Sequence, residues 1–187
     1  MWISITDLGD SAVGLTLAAL VLVVLLAAGW VRGAVAWLIA VVGCGAVTGA
    51  VKVVFAAAAQ GCGTGASASA GFSPSGHVAL STVVYGGLAV LGARQVPSPA
   101  RIPLGAACAV LLALIATSRI AIQAHTPIEV ATGLAVGLGA VAVMIYMLWR
   151  SSAPPYVLPQ LVVALVLALA WMYGTHWPVE ENLHRLA

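Results

Sequence analysis

Residues 11–30 read SAVGLTLAALVLVVLLAAGW, twenty positions without an Asp, Glu, Lys or Arg. A helix rises about 1.5 Å per residue, so some 20 apolar residues match the ~30 Å hydrocarbon core of a bilayer. Apolar runs recur at 34–55, 77–93, 103–122, 127–149 and 158–175, with only isolated charges within or between them. A membrane β-barrel would alternate polar and apolar residues along short strands, whereas these runs are continuous. The pattern predicts an all-α fold: a polytopic membrane helical bundle of about six transmembrane helices, forming one domain over residues 1–187.

Composition supports this. The 187 residues include 7 Lys or Arg and 5 Asp or Glu, so 6% are charged where a soluble chain has about 25%. Hydrophobic residues make up 63%, and the mean hydropathy is +1.12. A soluble fold of this size leaves too much surface exposed to hide so much apolar area. A soluble enzyme, a nucleic-acid binder and a disordered regulator are excluded. The net charge of +2 is too small to argue for a polyanionic partner. Cys44, Cys62 and Cys108 form no disulfide framework, and two of them lie in apolar runs, where a thiol behaves as a small hydrophobe. The N-terminus carries Asp7 and Asp10 but no basic residue, so the first run reads as a retained span and not as a signal peptide. The links are short except for the Gly/Ser/Ala-rich residues 61–76. The abundance of Ala and Gly suits close helix packing.

Arg32, Arg94, Arg101 and Arg150 all fall in links on one side of the bundle. The opposite side receives Asp7, Asp10, Glu180, Glu181 and Arg185. By the positive-inside rule the Arg32 side is cytoplasmic and both termini lie outside. On the outer side five further polar residues gather from separate stretches. Lys52 ends the second span, His77 begins the third, Arg119 ends the fourth, and His125 and Glu129 open the fifth. An ionisable residue in lipid costs about 2.5–3.5 kcal/mol on insertion scales, so such residues face protein or water and mark function. Lys and Arg offer positive charge and donors suited to phosphate oxygens. Histidine serves as nucleophile or proton donor. A carboxylate four residues after a histidine shares its helical face and can orient its ring. The set suits phosphoryl transfer.

Ser73-Pro74-Ser75-Gly76-His77 adds a helix start. Ser73 reads as the cap and Pro74 as the first helical residue, which leaves the amides of Ser75, Gly76 and His77 pointing out at the positive end. There is no P-loop motif. Other roles stand beside these. Thr126-Pro127-Ile128-Glu129 is a capping-box pattern, and capping can coexist with orienting His125. Lys52 can snorkel to the interface, and Arg119 can serve as an ordinary interfacial arginine. The histidines can be structural or can bind a metal with Glu129, although the H-E-x-x-H pattern is absent and no carboxylate neighbours His77 in the sequence. His176 and His184 lie among Trp171, Tyr173 and Trp177, which read as an interfacial belt.

Pro74-Ser75-Gly76-His77, followed by Ser118-Arg119, five residues, His125, three residues and Glu129, resembles the membrane branch of the type 2 phosphatidic acid phosphatase family. Its three motifs are K-x6-R-P, P-S-G-H and S-R-x5-H-x3-D. The second is complete here, and the third is complete except that Glu129 stands for Asp. Val130, Gly133 and Gly137 also resemble the family's continuation. The first motif keeps Lys52 but has Ala59 and Gln60 where the family has Arg-Pro, with Gln60 and Ser69 as candidate substitutes for the lost arginine. The first motif also ends the second span here, where the common six-helix members place it at the end of the third.

The resemblance implies a lipid phosphatase of the bacterial inner membrane with its site on the outer face. In that scheme His125 attacks phosphorus to form a phosphohistidine, Glu129 orients its ring, and His77 protonates the leaving oxygen and then activates water. Lys52, Arg119, Ser75, Ser118 and the backbone at Gly76 hold the phosphate. No metal or cofactor is implied, and the partners are the bilayer and a lipid phosphate: a polyprenyl diphosphate, phosphatidylglycerophosphate or phosphatidic acid. Two further readings share these residues, a lipid phosphotransferase and a catalytically silent lipid-phosphate binder or transporter.

Overall fold

The computed structural model describes residues 2–61, 72–154 and 156–173. It contains a short helix α1 (Trp2–Asp7) and six longer ones: α2 (Ser11–Ala27), α3 (Val31–Gly61), α4 (Gly76–Ala93), α5 (Ser98–Ala121), α6 (Pro127–Leu148) and α7 (Val157–Met172). Among the described residues there is no strand. Five helical stretches are long and apolar enough to cross a membrane, and α7 is a shorter apolar helix of 16 residues. The expected polytopic helical bundle is therefore present.

Several expected boundaries move; the second span, expected at 34–55, runs Val31–Gly61, and two other shifts have a clear physical reason. The fourth span begins at Ser98 instead of 103, because Pro99 fits the first turn and Pro103, one turn later, forfeits little more than its own missing N–H bond. Helix α4 begins at Gly76, and its cap is Ser75 instead of Ser73. The Ser75 hydroxyl accepts the Val78 N–H at 3.4 Å. The Ser73 amide donates instead to Glu129 Oε1 at 2.9 Å, which keeps Ser73 and Pro74 outside the helix.

Helix α4 is the centre of the bundle. It touches α2, α3, α5, α6 and α7, and 61% of its span is buried against 17% for α3 and for α5. Large side chains exposed along α3, such as Val35, Leu38 and Val42, face outward as a lipid-facing surface requires. Close packing rests on glycines where backbones meet. A Cβ at Gly133 would stand 2.5 Å from the Ser75 carbonyl oxygen, and one at Gly137 would stand 2.5 Å from Thr82 Cβ. This small-x-x-x-small spacing lets α6 lie directly on the N-terminal half of α4. Gly133→Ala should therefore push α6 away from the Ser75 turn. We expect a loss of about 1–3 kcal/mol, read as a lower unfolding temperature in detergent; an unchanged temperature would mean that the turn yields freely.

The helix ends sort into two groups. At one end Trp30 Nε1–H donates to Ser151 Oγ at 3.0 Å, Arg94 donates to the Ser151 carbonyl at 2.8 Å, and the Leu158 amide donates to Gln95 at 2.8 Å. Arg32, Arg101 and Arg150 belong to helix ends on this side. The other end carries Lys52, the start of α4, the end of α5 and the start of α6.

Candidate active site

Residues 119–129 are built from two helix ends and the turn between them. Helix α5 stops because Gln123 adopts a left-handed φ of 58°. The Ala124 N–H then bonds back to the Arg119 carbonyl and the Gln123 N–H to the Ile120 carbonyl, closing a Schellman turn. The His125 N–H also reaches the Arg119 carbonyl, at 3.3 Å. The five-residue gap between Arg119 and His125 is thus the length needed to end one helix and reverse the chain before the next begins.

Thr126 then caps α6. Its hydroxyl accepts the Glu129 N–H at 3.4 Å, while Glu129 Oε2 accepts the Thr126 N–H at 2.9 Å and the Thr126 hydroxyl proton at 3.1 Å. The same Oε2 lies 3.4 Å from His125 Nδ1. Capping and close approach to the histidine therefore coexist in one carboxylate. Its other oxygen, Oε1, receives the Ser73 amide, and the Ser75 amide donates to the Glu129 carbonyl at 3.1 Å. These bonds fasten the turn before α4 to the first turn of α6. Two helix N-termini meet there, and their partial positive charges favour an anion.

Lys52 reaches the same end. It lines a cleft of roughly 170 Å³ together with Gly76, Thr48, Gly49, Gly45 and Ser11. One turn beyond Lys52, the Phe55 ring meets that of Phe72 at a centroid distance of 4.9 Å, holding the chain that leads into Ser73 against α3. The cleft runs from this polar mouth between α2, α3 and α4, and its walls are mainly apolar.

Lys52, Ser75, Gly76, His77, His125 and Glu129 are therefore gathered at one end of the bundle. Arg119 is buried at the end of α5, and its Nη1 donates to Thr6 Oγ1 at 3.2 Å. Ser118 is engaged within its own helix. It is fully buried, and its hydroxyl donates to the Ile115 carbonyl at 2.6 Å. The N-terminal segment is the part of the site that sequence reasoning missed. Thr6, Asp7 and Asp10 are buried, and Asp10 Oδ2 lies 3.5 Å from His77 Nε2. A carboxylate thus accompanies His77 after all. The one available signal was that Asp10 stands where a helix cap belongs, just before the first apolar run. No group of three or more His, Cys, Asp or Glu side chains suited to a metal occurs among the described residues. The side chains of Ala59 and Gln60, together with Ser69, Cys62, His176, Trp177 and His184, lie outside what the structure describes.

No curated protein and no solved structure matches the chain. A family model described as the PAP2 superfamily matches residues 33–153, well over half of the length, and covers Lys52, the Ser75 turn and the Arg119–Glu129 region. The chain belongs to the PAP2 superfamily, and with that membership goes a phosphatase-type function on lipid-like phosphates.

Proposed function

We propose that this protein hydrolyses the terminal phosphate of a membrane lipid, a polyprenyl diphosphate or a phospholipid phosphate, through a phosphohistidine on His125, at the outer face of a bacterial inner membrane. The observation that carries the reading is the approach of Glu129 Oε2 to His125 Nδ1 at 3.4 Å by a carboxylate already locked by the Ser73 and Thr126 amides. A carboxylate on Nδ1 fixes the proton there and leaves Nε2 with the lone pair that attacks phosphorus. Lys52, Arg119, the Ser75 hydroxyl and the first amides of α4 supply positive charge and donors as charge builds on the phosphoryl oxygens. His77 gives a proton to the departing oxygen and takes one from water in the second step. The orientation rests on the arginines at the opposite end of the bundle, which the positive-inside rule assigns to the cytoplasm.

The apolar cleft favours a lipid over a soluble ester, since its mouth carries Lys52 and its depth only small or apolar residues. In this reading a hydrocarbon chain lies along Gly49 and Gly45, where an added Cβ would meet nothing within 4 Å. A chain leaving the bilayer gains no hydrophobic energy, so its seating depends on packing, and the effect of blocking it is modest. Gly49→Leu should lower kcat/KM for a long-chain lipid phosphate about tenfold, near 1.4 kcal/mol, and leave 4-nitrophenyl phosphate unaffected. Equal effects on both would place the chain elsewhere.

The decisive assay is phosphate release by detergent-purified protein from a panel of lipid phosphates in EDTA. Release is expected from at least one of them. Transfer of the phosphate to an added lipid alcohol without release to water would replace hydrolysis by transfer, and no turnover by folded protein would leave a silent binder.

A further inference from the structure

We propose that Asp10 is a positioning residue for His77, a second carboxylate–imidazole pair beside that of Glu129 and His125. The inference rests on the phosphatase reading above and adds a residue that lies before the region matched by the family.

The pairing is built by three consecutive contacts. His77, Ser81 and Tyr85 stand at i, i+4 and i+8 on α4, one stripe of a helix. Residues 10, 9 and 8 run down that stripe in order. Asp10 Oδ2 lies 3.5 Å from His77 Nε2. A Cβ on Gly9 would stand 2.8 Å from Ser81 Oγ and 2.8 Å from Ile115 Cγ2, so the backbone passes as close as a glycine permits. The Tyr85 hydroxyl donates to the Leu8 carbonyl at 2.6 Å. The other Asp10 oxygen accepts the Ala12 N–H at 2.8 Å and caps α2. One carboxylate thus starts a helix with one oxygen and faces a histidine with the other. The Asp10 and His77 side chains are only 11% and 12% exposed, which limits screening by water.

Other charged groups around this end are Lys52 from α3, Arg119 and Asp7 where α5 meets α1, and His125 with Glu129 from α6. Asp10 is the carboxylate on the ring of His77. It holds the Nε2 proton and sets the plane of the ring. Proton exchange then runs through Nδ1. In the first step the bond from His125 Nε2 to phosphorus forms and the bond from phosphorus to the lipid oxygen breaks. That oxygen takes the Nδ1 proton of His77 and leaves as the alcohol or the shorter phosphate. In the second step a water oxygen bonds to phosphorus, the phosphorus–nitrogen bond breaks, and the water proton returns to Nδ1.

The test compares wild type, Asp10→Asn, Asp10→Ser and Asp10→Glu as full-length protein in detergent, on an alkyl lipid phosphate and on 4-nitrophenyl phosphate. Asn and Ser both cap helices well, so the cap of α2 survives while the negative charge is lost. Asp10→Asn and Asp10→Ser should lower kcat on the lipid roughly 10- to 100-fold, with KM within about twofold. The first-turnover burst of nitrophenol should stay within about threefold, because nitrophenolate leaves without needing a proton. Asp10→Glu should recover part of the lipid activity. Unchanged lipid turnover in Asp10→Asn would make Asp10 a cap and nothing more. An equal loss on both substrates would also overturn the proposal, since damaged packing does not distinguish leaving groups. A wild type that is inert on both, with no label trapped on His125, would remove the phosphatase reading itself and the role of Asp10 with it.

Discussion

With His125 replaced by alanine, phosphate release from the best lipid substrate falls by at least about 10⁴-fold, since removing the nucleophile of a coupled catalytic set leaves only binding and charge stabilisation. The fold survives the change. The backbone N–H of residue 125 on the Arg119 carbonyl is kept by alanine, and the Schellman turn at Gln123 does not involve the imidazole; what is lost is the contact of the ring with Glu129. Lys52, Arg119 and the amides at Gly76 remain, so binding of the intact substrate weakens far less than turnover. Quenching in alkaline detergent during turnover of a radiolabelled substrate provides the independent reading. Wild type should retain a label that is labile in acid and stable in base, as a phosphorus–nitrogen bond is, and His125→Ala should retain none. Full activity in the mutant would assign the attack to another group, and a label that persisted would mean a different phosphorylated residue.

Glu129→Gln should cost about 10³–10⁴-fold in kcat, with a smaller change in KM, and about 1–2 kcal/mol of stability. Glu129 accepts from Ser73 with one oxygen and from Thr126 with the other, which also faces His125. Glutamine has one acceptor oxygen, so one of the two amides must face an NH₂ group. If the oxygen stays on Ser73, the NH₂ points at His125 Nδ1 and donates to it. The imidazole then carries its proton on Nε2, the nitrogen that must attack. If the amide is flipped, the Ser73 amide loses its acceptor, while the Ser75 amide keeps the Glu129 carbonyl. Glu129→Asp separates these two contributions. It keeps a charge within reach of His125 but is one methylene too short for Ser73 and the cap together, so we expect about a tenfold loss of activity with a clear loss of thermal stability. Aspartate and glutamine variants of equal activity would show that charge at this position is not what orients the ring.

The bilayer's demand for long apolar helices made the spans legible. The third motif was legible because its spacing is that of a helix end, a turn and a new cap, all local in the chain. The double contact of Glu129 with Thr126 and His125 could also be read, since both lie within four residues of it. Contacts that join distant stretches were not. Arg119 meets Thr6 across 113 positions, and α1 has six residues, too few for a periodic signal to emerge. Asp10 looked like a polar flank of a span, and nothing local to it announces His77. The shift of the α4 cap from Ser73 to Ser75 has the same origin: Glu129, from 56 residues away, takes the Ser73 amide. The bond from the Ser118 hydroxyl to the Ile115 carbonyl was not legible either, since a motif position does not announce a serine's intrahelical partner.

The bond from the Ser73 amide to Glu129 also makes this catalyst its own inspector. A nascent chain whose α4 and α6 have not yet docked lacks both the anchor for the Ser73 turn and the full bracing of the Glu129 carboxylate behind the proposed nucleophile. If the proposed site is the working one, half-assembled molecules should therefore be hydrolytically quiet toward the lipids around them. Turnover becomes a gauge of assembly, and during titration with a harsh detergent it should vanish at the same fraction that separates these two helices.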